Sequence, residues 1–123
     1  LSTMFGRRRF FTILYRNYTL GERINQQLVQ GEERVAINMP IQGTAADIIK
    51  RAMIDLHREL EHRQLIAHMI LQVHDELVLE VPEAELAETK ELVVQIMESA
   101  CQLNVPLCAN AQFGDNWLEM APC

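Results

Sequence analysis

The stretch LQVHDELVLE, residues 71–80, decides the fold of this chain. Two apolar runs flank His74, Asp75 and Glu76, which predicts a β-hairpin whose tip holds an imidazole and two carboxylates. Adjacent carboxylates destabilise each other, because each disfavours the charged form of its neighbour. A divalent cation or a positively charged substrate would offset that repulsion, so the hairpin tip is the first candidate for a functional site.

The segments on either side of the hairpin predict helices and one further strand. Helical character over residues 32–38 is expected to stop before Pro40, since proline lacks a backbone N–H and disfavours helix at the preceding residue. A second helix, ending near residue 62, has apolar side chains at i, i+3, i+4 and i+7 from residue 45 onward. Glutamates that precede another apolar stripe predict a third helix after Pro82.

With hairpin strands over residues 68–73 and 77–81 and a last strand over about 107–113, the order is helix, helix, strand, strand, helix, strand. This order predicts the α+β class, with an antiparallel sheet backed by helices. Residues 1–20 lack a helical period, which predicts extended or irregular structure. The polar stretch over residues 22–30 is expected to be exposed and is compatible with a short helix.

The composition suits one modest globular domain, since the chain has 123 residues and is 49% hydrophobic. No apolar run approaches the ~20 residues of a membrane-spanning helix, and no signal peptide opens the chain. We therefore expect a cytoplasmic protein with no membrane contact. The three cysteines, Cys101, Cys108 and Cys123, lack CxxC spacing, which indicates buried or incidental thiols.

Charge is divided unevenly along the chain, although the formal net charge is −6. Residues 1–51 hold eight Lys and Arg and four Asp and Glu, whereas residues 52–123 hold three and thirteen. Any polyanion is therefore expected to contact the first half. Charge alone leaves open the alternative that Arg7, Arg8 and Arg9 are merely solvated.

Two long motifs indicate a family. RVAINMPIQGTAADIIK at residues 34–50, together with LQVHDELVLE, resembles the C-terminal part of the palm in family A DNA polymerases, the bacterial DNA polymerase I group. GRRR at residues 6–9, VPL at 105–107 and NW at 116–117 follow in the order of that family. The resemblance covers nearly all of the chain. It implies DNA-directed nucleotidyl transfer to a primer 3′ hydroxyl by a two-metal mechanism.

The resemblance also implies an incomplete catalytic centre. The second metal-binding aspartate and the nucleotide-binding fingers helix of the family have no counterpart, since no segment reads as DYSQIELR or RxxxKxxxFG. The chain begins with Leu1 rather than Met, so we expect a fragment with a connector over residues 1–31 and a palm core over residues 32–123. Its expected partners are primer–template DNA, deoxynucleoside triphosphates and the remainder of the polymerase chain. The isolated fragment is expected to be inactive.

The hairpin tip fits the chemistry of this family. Phosphoryl transfer chiefly requires positioning and cations that neutralise charge on the transferring group, and Mg²⁺ prefers carboxylate and phosphate oxygens. The resemblance makes Asp75 a catalytic Mg²⁺ ligand, with Glu76 in a lesser or outer-shell role. Without the resemblance, Asp75 reads equally well as a turn residue chosen for local hydrogen bonding.

Four polar residues are candidates for DNA contacts. Arg34 and Asn38 are four residues apart and share one face of a helix, and Gln42 follows after the proline. The resemblance places these three at the minor groove, where adenine N3 and thymine O2 are similar acceptors and binding is largely independent of sequence. It places His74 at the DNA near the primer end. The alternatives are ordinary polar surface residues and, for His74, a packing histidine.

The QGTAAD block has further expected roles. Gly43 is expected to permit close approach of backbone. Thr44 and Asp47 are expected to start and cap the second helix.

Two functions of a different class stay open. One is a non-catalytic nucleic-acid-binding module. The other is a small metal-dependent hydrolase that uses His74, Asp75 and Glu76. Such a hydrolase should bind metal tightly in isolation, whereas half of a two-metal site should not.

Overall fold

The computed structural model describes residues 1–122, which form helices and two antiparallel two-stranded sheets. This confirms the predicted α+β class. In chain order the elements are α1 (Thr12–Leu14), a π-helical turn (Tyr15–Thr19), α2 (Gln26–His62), β1 (His68–Val73), β2 (Glu76–Glu80), a 3₁₀ turn (Glu83–Glu85), α3 (Leu86–Ser99), β3 (Gln112–Phe113) and β4 (Ala121–Pro122). Within residues 1–122, no helix is both long and apolar enough to span a lipid bilayer.

The chain divides into two compact units, Leu1–Asp47 and the residues from Ile48 onward. In the first unit, residues 1–9 fold back on themselves, and Ser2 and Arg8 form an antiparallel bridge. The turn uses Gly6 with φ of 82°, a left-handed conformation that glycine adopts without steric cost. Residues 12–19 are helical, so the predicted extended or irregular structure is wrong for that part of the segment.

Helix α2 runs through Pro40 without ending, so the predicted break between two helices is wrong. Proline in a helix interior removes one backbone hydrogen bond and costs about 3 kcal/mol. Val29, Ala36 and Met39 on the N-terminal part of α2 are buried, and burial of apolar side chains stabilises a helix independently of its proline. The predicted break at Pro40 was based on the neighbouring residues alone, and burial of side chains in the folded chain cannot be read from those residues.

The start of α2 also differs from the prediction. The helix begins at Gln26, where the Asn25 side-chain oxygen accepts a hydrogen bond from the Gln27 N–H at 2.8 Å. This is a typical N-cap hydrogen bond, in which a side-chain oxygen pairs with a backbone N–H that has no partner within the helix. Gly31 lies inside the helix and does not end it.

The core of the second unit lies between α2, the hairpin and α3. Leu56 and Leu60 of α2 are buried together with Ala67 and with Leu92 of α3. Partly buried side chains from both hairpin strands pack against this cluster, namely Met69, Leu77 and Leu79. The hairpin therefore has one face anchored on helices, as the sequence predicted.

The hairpin forms where it was predicted, with β2 beginning at Glu76 rather than Leu77. Val73 pairs with Glu76, so the turn contains only His74 and Asp75. The register shifts between Met69 and Leu71, which marks a bulge that adds local twist.

The predicted last strand over residues 107–113 is wrong for most of its length. Only Gln112–Phe113 pairs, and its partner is Ala121–Pro122. A strand is stable only with a hydrogen-bonded neighbour, and residues 107–111 have none within residues 1–122. Cys101 is half-buried and Cys108 is exposed, both as free thiols, while Cys123 lies outside the described residues.

Glu85 joins the start of α3 to the turn before β1. Its carboxylate accepts hydrogen bonds from the Ile66 N–H at 2.9 Å and the Ala67 N–H at 3.0 Å. A hydrogen bond to a charged acceptor contributes about 1.5–3 kcal/mol, and exposure of Ile66 to solvent reduces that contribution here. We expect Glu85→Ala to accelerate hydrogen exchange of these two amides by about tenfold. Glu83→Ala, in the same turn, is the control, and equal exchange in both variants would contradict the anchoring role.

Candidate nucleic-acid and metal site

The hairpin tip presents its polar residues on a short and well-defined turn. His74 has φ of 54°, a left-handed value in which histidine is enriched among non-glycine residues. Positive φ at the first position of a two-residue turn matches the twist of the flanking strands. The Gln72 side-chain amide donates a hydrogen bond to the His74 carbonyl oxygen. The backbone that presents Asp75 is thus fixed on both sides.

The side chains of the tip are available to a ligand. His74, Asp75 and Glu76 are all exposed. The described residues provide no group of three or more His, Cys, Asp or Glu side chains that could hold a metal ion. Mg²⁺ is usually bound by one or two carboxylates together with substrate phosphates. Asp75 and Glu76 have the carboxylate oxygens that Mg²⁺ prefers. They could supply some of its ligands, and substrate phosphates would supply others.

A row of polar residues lies on α2. Arg34, Asn38 and Gln42 are exposed and four residues apart. Because the helix continues through Pro40, Gln42 belongs to the same helix as the other two. Successive members are offset by about 40° and rise about 6 Å, so the row extends over about 12 Å. We call these three residues the polar row.

Gly43 and Thr44 of α2 dock the N-terminal loop. A Cβ built on Gly43 would lie 2.7 Å from the Thr3 Cγ2 atom, so only glycine lets Thr3 approach this closely. The Thr44 hydroxyl accepts a hydrogen bond from the Met4 N–H at 3.1 Å. Thr3 and Thr44 are both buried. A close approach is therefore present at Gly43, but the approaching atoms belong to the side chain of Thr3 and not to backbone as predicted.

Arg7 completes this docking contact. Its Nε atom lies 2.7 Å from Asp47 Oδ1, and its Nη2 atom donates to the Gly43 carbonyl oxygen at 2.9 Å. Thr44 and Asp47 are inside α2 rather than at its start, so the predicted capping roles are wrong. Both residues instead contact residues 1–9, Thr44 through Met4 and Asp47 through Arg7. Sequence analysis missed Thr3 and Arg7 as their partners, because long-range pairing leaves no local periodicity.

Docking leaves two arginines on the surface of the loop. Arg8 and Arg9 are exposed, and within residues 1–122 no carboxylate forms a salt bridge with either of them. The Arg9 guanidinium lies 5.6 Å from the centroid of the Phe11 ring. The polar row and these two cations belong to one unit, and the hairpin tip belongs to the other.

The docking contact makes a specific prediction. Gly43→Ala is expected to loosen the loop in the full-length protein, since overpacking costs about 1–3 kcal/mol. Thr3→Ser removes the opposing methyl and keeps the hydroxyl, so the double variant should regain the tight loop. The measurement is the rate of tryptic cleavage after Arg8. Gly31→Ala is the matched control, because nothing lies within 4 Å of its added Cβ. Unchanged cleavage in Gly43→Ala would contradict the docking.

The sequence model for DNA polymerase family A matches residues 1–119. The thermostable DNA polymerase I of Thermus filiformis is 47% identical over 119 residues, 97% of this chain and 13% of that protein. DNA polymerase I of Chloroflexus aurantiacus is 43% identical over 123 residues, 99% of this chain and 12% of that protein. The chain thus spans about one eighth of the length of these relatives.

A solved structure is similar in fold as well as in sequence. It is described as the POL domain of Pol1 from M. smegmatis in complex with DNA primer-template and dNTP. The TM-score is 0.77 at 44% sequence identity, and the match covers 86% of this chain and 18% of that one.

Proposed function

Because the chain belongs to DNA polymerase family A, we propose that it forms the C-terminal part of the palm in a DNA-directed DNA polymerase. The reaction is template-directed transfer of a deoxynucleotide to a primer 3′ hydroxyl. The observation that supports this most directly is the exposed Asp75 on a two-residue hairpin turn. Residues 1–31 would be the connector and residues 32–123 the palm core. A cytoplasmic location and a role in DNA replication or repair accompany this proposal.

The role of the hairpin tip is to hold a carboxylate where the metal ions are needed. Asp75 would bind Mg²⁺, and Glu76 would support it from the outer shell. When bound, the ions would activate the attacking hydroxyl and stabilise the leaving oxygen. The tight turn positions Asp75 before the substrate arrives, and preorganised electrostatic groups avoid reorganisation during the reaction. A second carboxylate is expected from the remainder of the polymerase chain.

The polar row would hold the primer–template duplex. Arginine, asparagine and glutamine side chains donate hydrogen bonds, and the minor groove offers similar acceptors at A·T and T·A pairs. A polymerase must bind every sequence, so this readout suits it. The ring of His74 is exposed at the hairpin tip, and we place it at the DNA near the primer end.

The experiment is primer extension with the full-length protein and with the 123-residue chain alone. We expect the full-length protein to extend a primer when Mg²⁺ and the four deoxynucleoside triphosphates are present, and the isolated chain to show no extension. Template-directed extension by the isolated chain would overturn the proposed half-site. Binding of DNA without extension by the full-length protein would favour the binding module. Hydrolysis of nucleotides without a template would favour the hydrolase.

A further inference from the structure

An open groove with aromatic walls lies in the first unit, outside the polar row. Its volume is about 420 Å³, and it is lined by Leu1, Arg9, Phe10, Phe11, Thr12 and Tyr15. Phe10 is 85% exposed and Tyr15 is 57% exposed. Contiguous apolar patches that are rimmed by polar residues mark interaction sites. We call it the aromatic groove.

The aromatic groove is anchored. The Tyr15 N–H donates to the Phe11 carbonyl oxygen at 3.0 Å, so these two rings lie one helical turn apart. The Leu14 N–H donates to the Glu32 carboxylate of α2 at 2.7 Å. Further along, the Tyr18 hydroxyl bonds to Glu33, and this bond raises the pKa of Tyr18. The short helical segment is therefore fastened to α2 while Phe10 and Tyr15 stay exposed.

The charge around the aromatic groove is positive. Residues 1–33 contain five arginines and three glutamates, and two of these glutamates, Glu32 and Glu33, are bonded to the short helical segment. Arg16 is paired with the third, Glu22, and Arg7 is paired with Asp47. Arg9 is an exposed cation that lines the groove and lies over Phe11. Within residues 1–122, the exposed cation of the groove has no carboxylate partner. Exposed rings beside such a cation are complementary to a polyanion with planar bases, because rings stack on bases and cations neutralise phosphates.

We propose that the aromatic groove binds single-stranded DNA, with unpaired bases stacked on Phe10 and Tyr15 and with phosphates neutralised by Arg9. Stacking is independent of base identity because every base has a π-face, and it is the usual means of holding single strands without sequence preference. A duplex cannot use these rings, since its bases are already stacked on each other. The site thus goes beyond the proposed duplex grip and does not depend on the polymerization reaction.

The test compares two ligands on the full-length protein by fluorescence anisotropy. One is a blunt duplex, and the other is the same duplex with a single-stranded 5′ template overhang of about 15 nucleotides. The quantity of interest is the gain in affinity that the overhang provides. We expect Phe10→Ala and Tyr15→Ala each to reduce that gain by about fivefold or more, with blunt-duplex affinity unchanged. If primer extension is lost while the overhang still increases affinity, the result would contradict the polymerase proposal and leave the proposal for the aromatic groove intact.

Matched variants separate stacking from other roles. Phe10→Tyr and Tyr15→Phe keep the rings and should keep the gain, whereas Tyr15→Leu keeps apolar area and should lose it. Leu118→Ala is the control, since this apolar side chain is 93% exposed. An unchanged gain in the double variant Phe10→Ala/Tyr15→Ala would overturn the proposal. So would equal loss on both ligands, or a lower melting temperature of the full-length protein, because the groove would then be a packing face for another segment.

Discussion

Replacement of Asp75 by alanine in the full-length protein is expected to lower the rate of primer extension by about a thousandfold or more, with little change in the dissociation constant for primer–template. The metal ion that Asp75 would hold acts on charge that develops in the transition state. An interaction that is stronger in the transition state than in the ground state affects the rate rather than binding. A thousandfold loss corresponds to about 4 kcal/mol, within the several kcal/mol attributed to such an ion.

Neighbouring carboxylates supply the controls. Glu80→Ala removes one negative charge from the same hairpin, at the far end of β2, and should extend primers at close to the normal rate. Glu76→Ala should have an intermediate effect, as expected of an outer-shell group. Single-turnover kinetics on preformed complexes separate the rate from binding. If binding falls as far as the rate does in Asp75→Ala, then Asp75 is a structural turn residue and its assignment as a metal ligand is wrong.

The hairpin was predictable because its determinants are local. Two apolar runs flank a polar tip, so the two strands could be read from residues 68–81. The two-residue turn and the register that it sets were not predicted and come from the structure. Helix α3 was predictable from local determinants as well, since its glutamates and apolar stripe lie within one short segment. The family motifs added the identity of Asp75 as a candidate ligand, which periodicity alone left open.

Features that depend on distant contacts could not be predicted. Helix α2 continues through Pro40 in a segment whose Met39 side chain is buried, and the docking of Arg7 on Asp47 joins residues forty positions apart. The strand expected over residues 107–113 failed for the same reason. An apolar, extended sequence indicates a strand, but a strand forms only where a partner supplies hydrogen bonds, and that partner is not encoded in the segment itself.

The continuous α2 leads to the second large expected effect. The triple variant Arg34→Ala/Asn38→Ala/Gln42→Ala in the full-length protein is expected to weaken primer–template binding by about tenfold to a hundredfold. Each lost hydrogen bond contributes about 0.5–1.5 kcal/mol, and bonds that involve a charged group contribute more. Because the three side chains lie on one helix face, they can follow one groove of the duplex together. Each single substitution should weaken primer–template binding less than the triple variant does, and the loss of affinity should increase with the number of side chains removed.

The pattern of the loss across DNA sequences tests the minor-groove assignment. Adenine N3 and thymine O2 are equivalent acceptors, so the loss should be nearly equal for primer ends of different A·T and T·A order, and similar for G·C-rich ends. Dissociation constants for a panel of primers provide the measurement. Ile37→Ala, at an exposed position of the same helix, is the matched control and should bind normally. A loss confined to particular sequences would instead require base readout in the major groove, where each base pair presents a distinct set of donors and acceptors.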